Sequence, residues 1–281
     1  MSRRKTEEQI FKVLMIIASA IIVGSFFLIV FTIVKKGLPA MNLDMITKTP
    51  EGGFYIGKTG GILNAIIGSL YIAAGSSFLA LILSIPIVLY INIYLKKNSW
   101  LGAVTRLSYD VLFGIPSIVY GAFGFTIMIY FGLKASLLGG IIAVTLLVIP
   151  IMIRTMDEVM RTVPKELLDA SYSLGATRFE ATKILLRQVA PGILTAILLS
   201  FGRGIGDVAS VMFTAGFSDN IPASLHDPSA TLPLSIFFQL SSPIEEVQSR
   251  AYASALILTI LVLIISISAR LLSKRFSKNK L

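Results

Sequence analysis

Arg203 and Asp207 have the clearest capacity for chemistry in this chain. They stand four residues apart in the run Arg203-Gly204-Ile205-Gly206-Asp207, near the middle of the apolar stretch Pro191–Phe217. On a helix that spacing puts both on one face. A guanidinium offers a planar fork of donors that matches an oxyanion bidentately. A carboxylate one turn away would hold the fork when no anion is present and keep an anion from binding too tightly to leave. The plainer alternative is an ion pair that only locks helices together. An ionised group at that depth costs several kcal/mol, from about 2.5 to above 10, unless it is paired or faces water. Mutual pairing on an inward surface is therefore the expectation, with Gly202, Gly204 and Gly206 permitting close approach or local unwinding. Ser117, Tyr120 and Thr214 are available as neutral donors, although hydroxyls in spans more often bond to the backbone.

Other chemistry is scarce. The chain has no cysteine, which excludes disulfides, thiolate metal sites and Cys nucleophiles. Its single histidine, His226, argues against a His-based metal cluster or triad and reads as a solvated loop residue. No cofactor and no metal are expected. The run Gly52-Gly53-Phe54-Tyr55-Ile56-Gly57-Lys58-Thr59 fits G-x-x-x-x-G-K-[ST]. That pattern works only after a buried strand and before a soluble helix. Here a mixed polar segment precedes it and a membrane span follows, so nucleotide binding is rejected.

The elements that position Arg203 are membrane spans. Of 281 residues, 55% are apolar, which places the chain among integral membrane proteins. A bilayer core of about 30 Å takes about 20 helical residues. Runs of that kind predict six spans: Val13–Val34, Ile66–Leu95 (tilted or bent at Pro86), Val111–Leu133, Ala135–Ile153, Pro191–Phe217 and Ala251–Ala269. Leu232–Leu240 is apolar but too short and lies between Pro233 and Pro243, so it reads as re-entrant or interfacial. An even number of spans puts both termini on one side. Counted by side, 18 Lys and Arg fall with the termini, 6 on the other side, and Arg203 within a span. The positive-inside rule then makes the termini cytoplasmic. The net charge of +10 is thus topological and implies no nucleic-acid partner. The fold class is an all-α polytopic membrane protein. Residues 1–12 form a cytoplasmic N-terminus and 13–281 one transmembrane domain, with a cytoplasmic loop at 154–190 and a basic tail at 270–281.

That loop is a polar island. Arg154 to Pro191 carries eleven charges and reads as two short helices broken at Gly175. Pro164 suits the first helical position, and Glu166 favours the exposed N–H groups of the first turn. Gly175 supplies a left-handed stop. Thr177-Arg178-Phe179-Glu180 is a capping-box pattern for a second helix, and Pro191 marks the start of the fifth span. Leu167, Leu168, Tyr172 and Leu174 offer an apolar face for a soluble protein. The bland alternative is a loop packed on the protein's own span ends.

Asp169-Ala170-Ser171, three residues, then Gly175-Ala176 resembles the EAA loop of bacterial ABC importer permease subunits. Asp stands for the usual Glu, and Ser for the second Ala. Gly61–Leu70, Gly114-Ile115-Pro116-Ser117-Ile118-Val119-Tyr120-Gly121 and Arg203-Gly204-Ile205-Gly206-Asp207 are similar to phosphate importer permeases of the PstA type, with Asp207 in place of Glu. The resemblance implies the type I ABC importer permease architecture in a bacterial-type plasma (inner) membrane, and no enzyme activity in this chain. It implies three kinds of partner besides membrane lipid: a second homologous permease, two cytoplasmic ATPase subunits and an external phosphate-binding protein. Asp169, Ala170, Ser171, Gly175 and Ala176 would couple to the ATPase, and Arg203, Asp207 and Ser117 would line the substrate pathway. Alternatives are a permease for another oxyanion, such as sulfate or molybdate, or a membrane signalling subunit reporting phosphate status.

Overall fold

The computed structural model describes residues 3–51, 59–96 and 98–277. The P-loop-like run from Gly52 to Lys58, and the end of the basic tail with Lys278 and Lys280, lie outside the described residues. Helix α1 spans Arg3–Gly37 and ends just before Pro39. A short helix α2, Leu43–Thr47, is capped by Asn42, whose side chain accepts from the Met45 amide at 2.8 Å. Pro50–Glu51 pairs antiparallel with Thr59–Gly60. Helix α3, Leu63–Leu89, contains Pro86 and runs on as a π-helical turn, Tyr90–Tyr94.

The expected third span is not one straight helix. It is replaced by α4, Trp100–Phe113, and α5, Ser117–Tyr130, whose axes meet at 101°. Gly114-Ile115-Pro116 makes the corner. Pro116 sits in an extended conformation with ψ 141°, and a proline pushes the residue before it out of the helical region. A helix end leaves carbonyls without partners. The Tyr120 hydroxyl supplies one by donating to the Leu112 carbonyl across the corner at 2.7 Å. Hydropathy alone misses this break, because both arms are apolar. It also misses that α4 is an amphipathic helix where a loop was expected.

Helix α6 spans Leu137–Arg161 and starts at Ser136, whose hydroxyl accepts from the Gly139 amide. Two short links then frame α7, Lys165–Ser173, and α8, Arg178–Ile205. The island is therefore divided differently from expectation. Its first residues belong to α6, only α7 is a short helix, and α8 continues unbroken through Pro191 into the fifth span. Pro191 removes a single ladder bond, which a helix among neighbours tolerates. At its other end α8 stops at Ile205, well short of the expected Phe217. Helix α9 covers Leu232–Leu240, matching the expected short segment, with the Thr231 hydroxyl accepting from the Leu234 amide. Helix α10 spans Glu245–Ser277.

Among the described residues five helices, α1, α3, α6, α8 and α10, are long and apolar enough to cross a membrane, and the number is six where the bent α4–α5 pair is counted as one broken span. The most buried is α6. Its Val144, Val148, Met152 and Met156 pack with Ile72 of α3 and with Leu185 and Val189 of α8. At the α9 end, Met45, Ile62, Leu232 and Ala253 form a second apolar cluster. Along α1, residues such as Ile22, Phe27 and Leu28 are exposed, as a helix bathed in lipid or covered by a partner would be.

Candidate functional site: a coupling element and an unpaired arginine

The candidate coupling element is built by local rules. Helix α7 ends where Gly175 takes φ +81°. The Ala176 amide reaches back to the Ser171 carbonyl at 3.1 Å, and the Gly175 amide to Tyr172 at 2.9 Å. This is the glycine stop that satisfies the last carbonyls of a helix. Two residues on, Thr177 and Glu180 form the expected capping box: the Thr177 hydroxyl accepts from the Glu180 amide, and the Glu180 carboxylate from the Thr177 amide. Asp169 and Ala170 face outward, while Ser171 is buried and donates to the Leu167 carbonyl at 2.8 Å. Serine therefore fits where the family motif has alanine, because its hydroxyl is spent on its own helix.

The exposed apolar face keeps Tyr172 and Leu174 of the four expected residues and adds Phe179. Leu167 and Leu168 are half-buried, whereas Leu174 is 89% and Phe179 74% exposed. With Gly175 between them, they form a protruding apolar edge. Beside it lies a cavity of about 590 Å³ lined by Leu174, Gly175, Glu180, Lys183 and Arg187, among others.

At the other site, the expected ion pair is not formed. Because α8 ends at Ile205, Asp207 is no longer one helical turn from Arg203. The buried Asp207 carboxylate instead accepts from the Ser210 amide at 2.8 Å and from the Ser210 hydroxyl. It caps the turns that run from Val208 to Ala215. Arg203 is exposed and makes no hydrogen bond or ion pair among the described residues. Its compensation is the negative end of α8, in whose last turn it stands. No neighbouring atom lies within 4 Å of where a Gly202 side chain would begin. Of the three neutral donors, Tyr120 is spent on Leu112 and Thr214 on the Ser210 carbonyl. Half-buried Ser117 alone has no partner among the described residues. His226 is exposed, as expected.

The fold brings together two motifs that are far apart in sequence. A side chain at Gly121 of α5 would begin 2.7 Å from the Ala209 carbonyl oxygen and 2.9 Å from the Ser210 Cα. The corner helix thus lies directly on the loop that Asp207 caps. Gly121→Ala should therefore cost about 1–3 kcal/mol of overpacking. A thermal midpoint several degrees below wild type in detergent would show it, and an unchanged midpoint would mean the loop yields freely.

A third cluster was not visible in the sequence. Asp157 on α6 is 1% exposed and collects donors from three elements. Asn92 of the π turn reaches it at 2.7 Å, the Arg106 Nε at 3.0 Å, the Tyr109 hydroxyl at 2.7 Å and Arg161 at 2.8 Å. Only the Arg161 contact is local. The useful signal was an acid near the end of an apolar helix, where an ionised group requires partners.

A bundle of five or six crossings with a helix-turn-helix between two of them is the frame the described residues define. The chain matches the family model "Binding-protein-dependent transport system inner membrane component" over residues 84–278. It is 35% identical over 263 residues to the phosphate transport system permease protein PstA of Pasteurella multocida, covering 92% of each chain. It is 36% identical over 260 residues to the PstA protein of Yersinia pestis, covering 92% of this chain and 86% of that one. Among solved structures, a chain of the inward-facing MetNI methionine ABC transporter matches with a TM-score of 0.62 at 17% identity, over 76% of this chain and 95% of that chain. The chain belongs to the family of binding-protein-dependent transport inner-membrane components.

Proposed function

We propose that this chain forms half of the translocation pathway of an ATP-driven importer of inorganic phosphate. The observation that carries the reading is Arg203. An arginine open to lipid would cost several kcal/mol. Its unpaired, exposed position at the end of α8 is tenable where a water-filled path or a partner subunit covers it. A guanidinium beside open backbone at Gly202 suits a tetrahedral oxyanion, and the Ser117 hydroxyl is a further donor without a partner among the described residues. The relatives' printed names, phosphate transport permeases, supply the choice of oxyanion. Both termini and α7 face the cytoplasm, in keeping with the basic residues gathered on that side.

The partners follow from the same reading. A second homologous permease completes the pathway, and a phosphate-binding protein delivers substrate from outside. Two ATPase subunits hydrolyse ATP in the cytoplasm and grip the edge formed by Leu174, Gly175 and Phe179. This chain carries no chemistry of its own. It converts the approach of the ATPases into a change of access by differential packing of its two states. The test is uptake by vesicles holding the reconstituted complex. Radiolabelled phosphate should enter only with ATP and binding protein present, and excess sulfate or molybdate should not compete. Competition by sulfate would reassign the substrate, and ATP-independent uptake would sink the reading.

A further inference from the structure

The contacts around Asp157 bind three elements into one body at the end of the bundle next to α7. The Asn92 amide is fully spent, with one hydrogen on the Val88 carbonyl at 2.9 Å and the other on Asp157. Arg106 makes a second contact through Nη2 at 3.3 Å. The carboxylate therefore accepts four hydrogen bonds from three side chains, Asn92, Arg106 and Tyr109, and pairs with a second cation, Arg161, which saturates its lone pairs. One turn further along the same interface, Arg154 bridges Asp110 of α4 at 3.6 Å and lies over the Phe113 ring. Helix α4 is thus tied to α6 over its second half, at Arg106, Tyr109, Asp110 and Phe113.

From there the contacts continue towards Arg203. Helix α6 leads into α7 through three residues, Thr162, Val163 and Pro164. Helix α4 leads to α5 through the corner that Tyr120 pins to Leu112. Helix α5 then lies on Ala209 and Ser210, the residues beside Asp207. The first link is a three-residue connection, the second a hydrogen bond and the third a contact too tight for a methyl group, so little of a displacement at one end is absorbed by soft packing. A lock that served stability alone would not need to join the coupling element to the broken span.

We propose that Asp157 is a positioning residue for transport: by clamping α4 and the π turn to α6, it makes the stroke received at α7 move the α4–α5 corner and, through it, the Arg203–Ser210 end of the pathway. The proposal rests on the reading of the chain as a subunit of an ATP-coupled importer. It predicts a particular failure, in which ATP is hydrolysed but anion is not moved.

The experiment compares phosphate imported per ATP hydrolysed in the reconstituted complex for wild type, Asp157→Asn and Tyr109→Phe. Asp157→Asn should lower that ratio at least tenfold while stimulated ATP hydrolysis stays within about twofold of wild type. Tyr109→Phe removes one donor only and should lower it less, about threefold. If Asp157→Asn does not assemble, Tyr109→Phe decides by the same ratio. A rescue separates clamping from general stability. The chain has no cysteine, so Asp110→Cys with Arg154→Cys places one pair of thiols across the same interface, which a thiol-reactive cross-linker of matching length joins. Cross-linking of that pair in whichever variant is uncoupled should restore most of the ratio. A wild-type ratio in both single variants, or a ratio that the completed cross-link leaves unrestored, overturns the proposal. A wild-type complex that moves no phosphate with ATP would instead remove the underlying reading, so the two failures are distinguishable.

Discussion

Arg203→Ala should abolish most phosphate uptake while the complex still assembles. The guanidinium is exposed and has no partner among the described residues. Removing it therefore leaves no buried charge behind and breaks no internal bond. What is lost is a charge-assisted contact to the passing anion, worth about 1.5–3 kcal/mol, or about 10- to 100-fold in uptake. Arg203→Lys keeps the charge but not the fork and should fall between the two. Asp207→Asn should act through a different route. It weakens the cap on Ser210 and costs about 1 kcal/mol of local stability. Because the two residues do not touch, their effects should add, with a coupling energy below about 0.5 kcal/mol in a double-mutant cycle. A coupling above 1 kcal/mol would mean that the ion pair forms in another state of the transport cycle. Normal uptake by Arg203→Ala would place the anion path elsewhere.

Gly175→Asp should be nearly as damaging, for a reason that the backbone alone does not supply. Gly175 sits at φ +81°, where a non-glycine residue pays about 1–2 kcal/mol and Asn or Asp pay least. No atom lies within 4 Å of the place its side chain would occupy. A neutral Gly175→Asn should therefore fold and transport within a few-fold of wild type. Aspartate has nearly the same shape but puts a carboxylate on the apolar edge between Leu174 and Phe179. Burying that charge against a partner without a counter-ion costs several kcal/mol. The expected result is at least a tenfold loss of uptake, with ATPase subunits lost from the purified complex or hydrolysing ATP without transport. The comparison of Asp with Asn separates docking from turn geometry. Equal damage by both would mean that the turn itself is what matters.

The sequence by itself determined the features that obey rules acting over one or two helical turns. Charge-free length marked the spans, Gly175 and the Thr177–Glu180 pair marked the ends of α7 and α8, and Pro233 marked α9. These positions are decided by which backbone groups lack partners and which residue types supply them, and both can be read locally. Where α8 stops and where the third crossing breaks were decided only in three dimensions. The run from Gly206 to Phe217 is as apolar as the helix before it, yet the chain leaves the helix because Asp207 finds Ser210 and because α5 packs Gly121 against the loop. That ending unmade the expected Arg203–Asp207 pair, since an i,i+4 relation holds only while the helix lasts. Asp157 makes the same point. Its partners Asn92 and Arg106 lie 65 and 51 residues away, and no local pattern encodes a contact whose two sides meet only when the bundle closes.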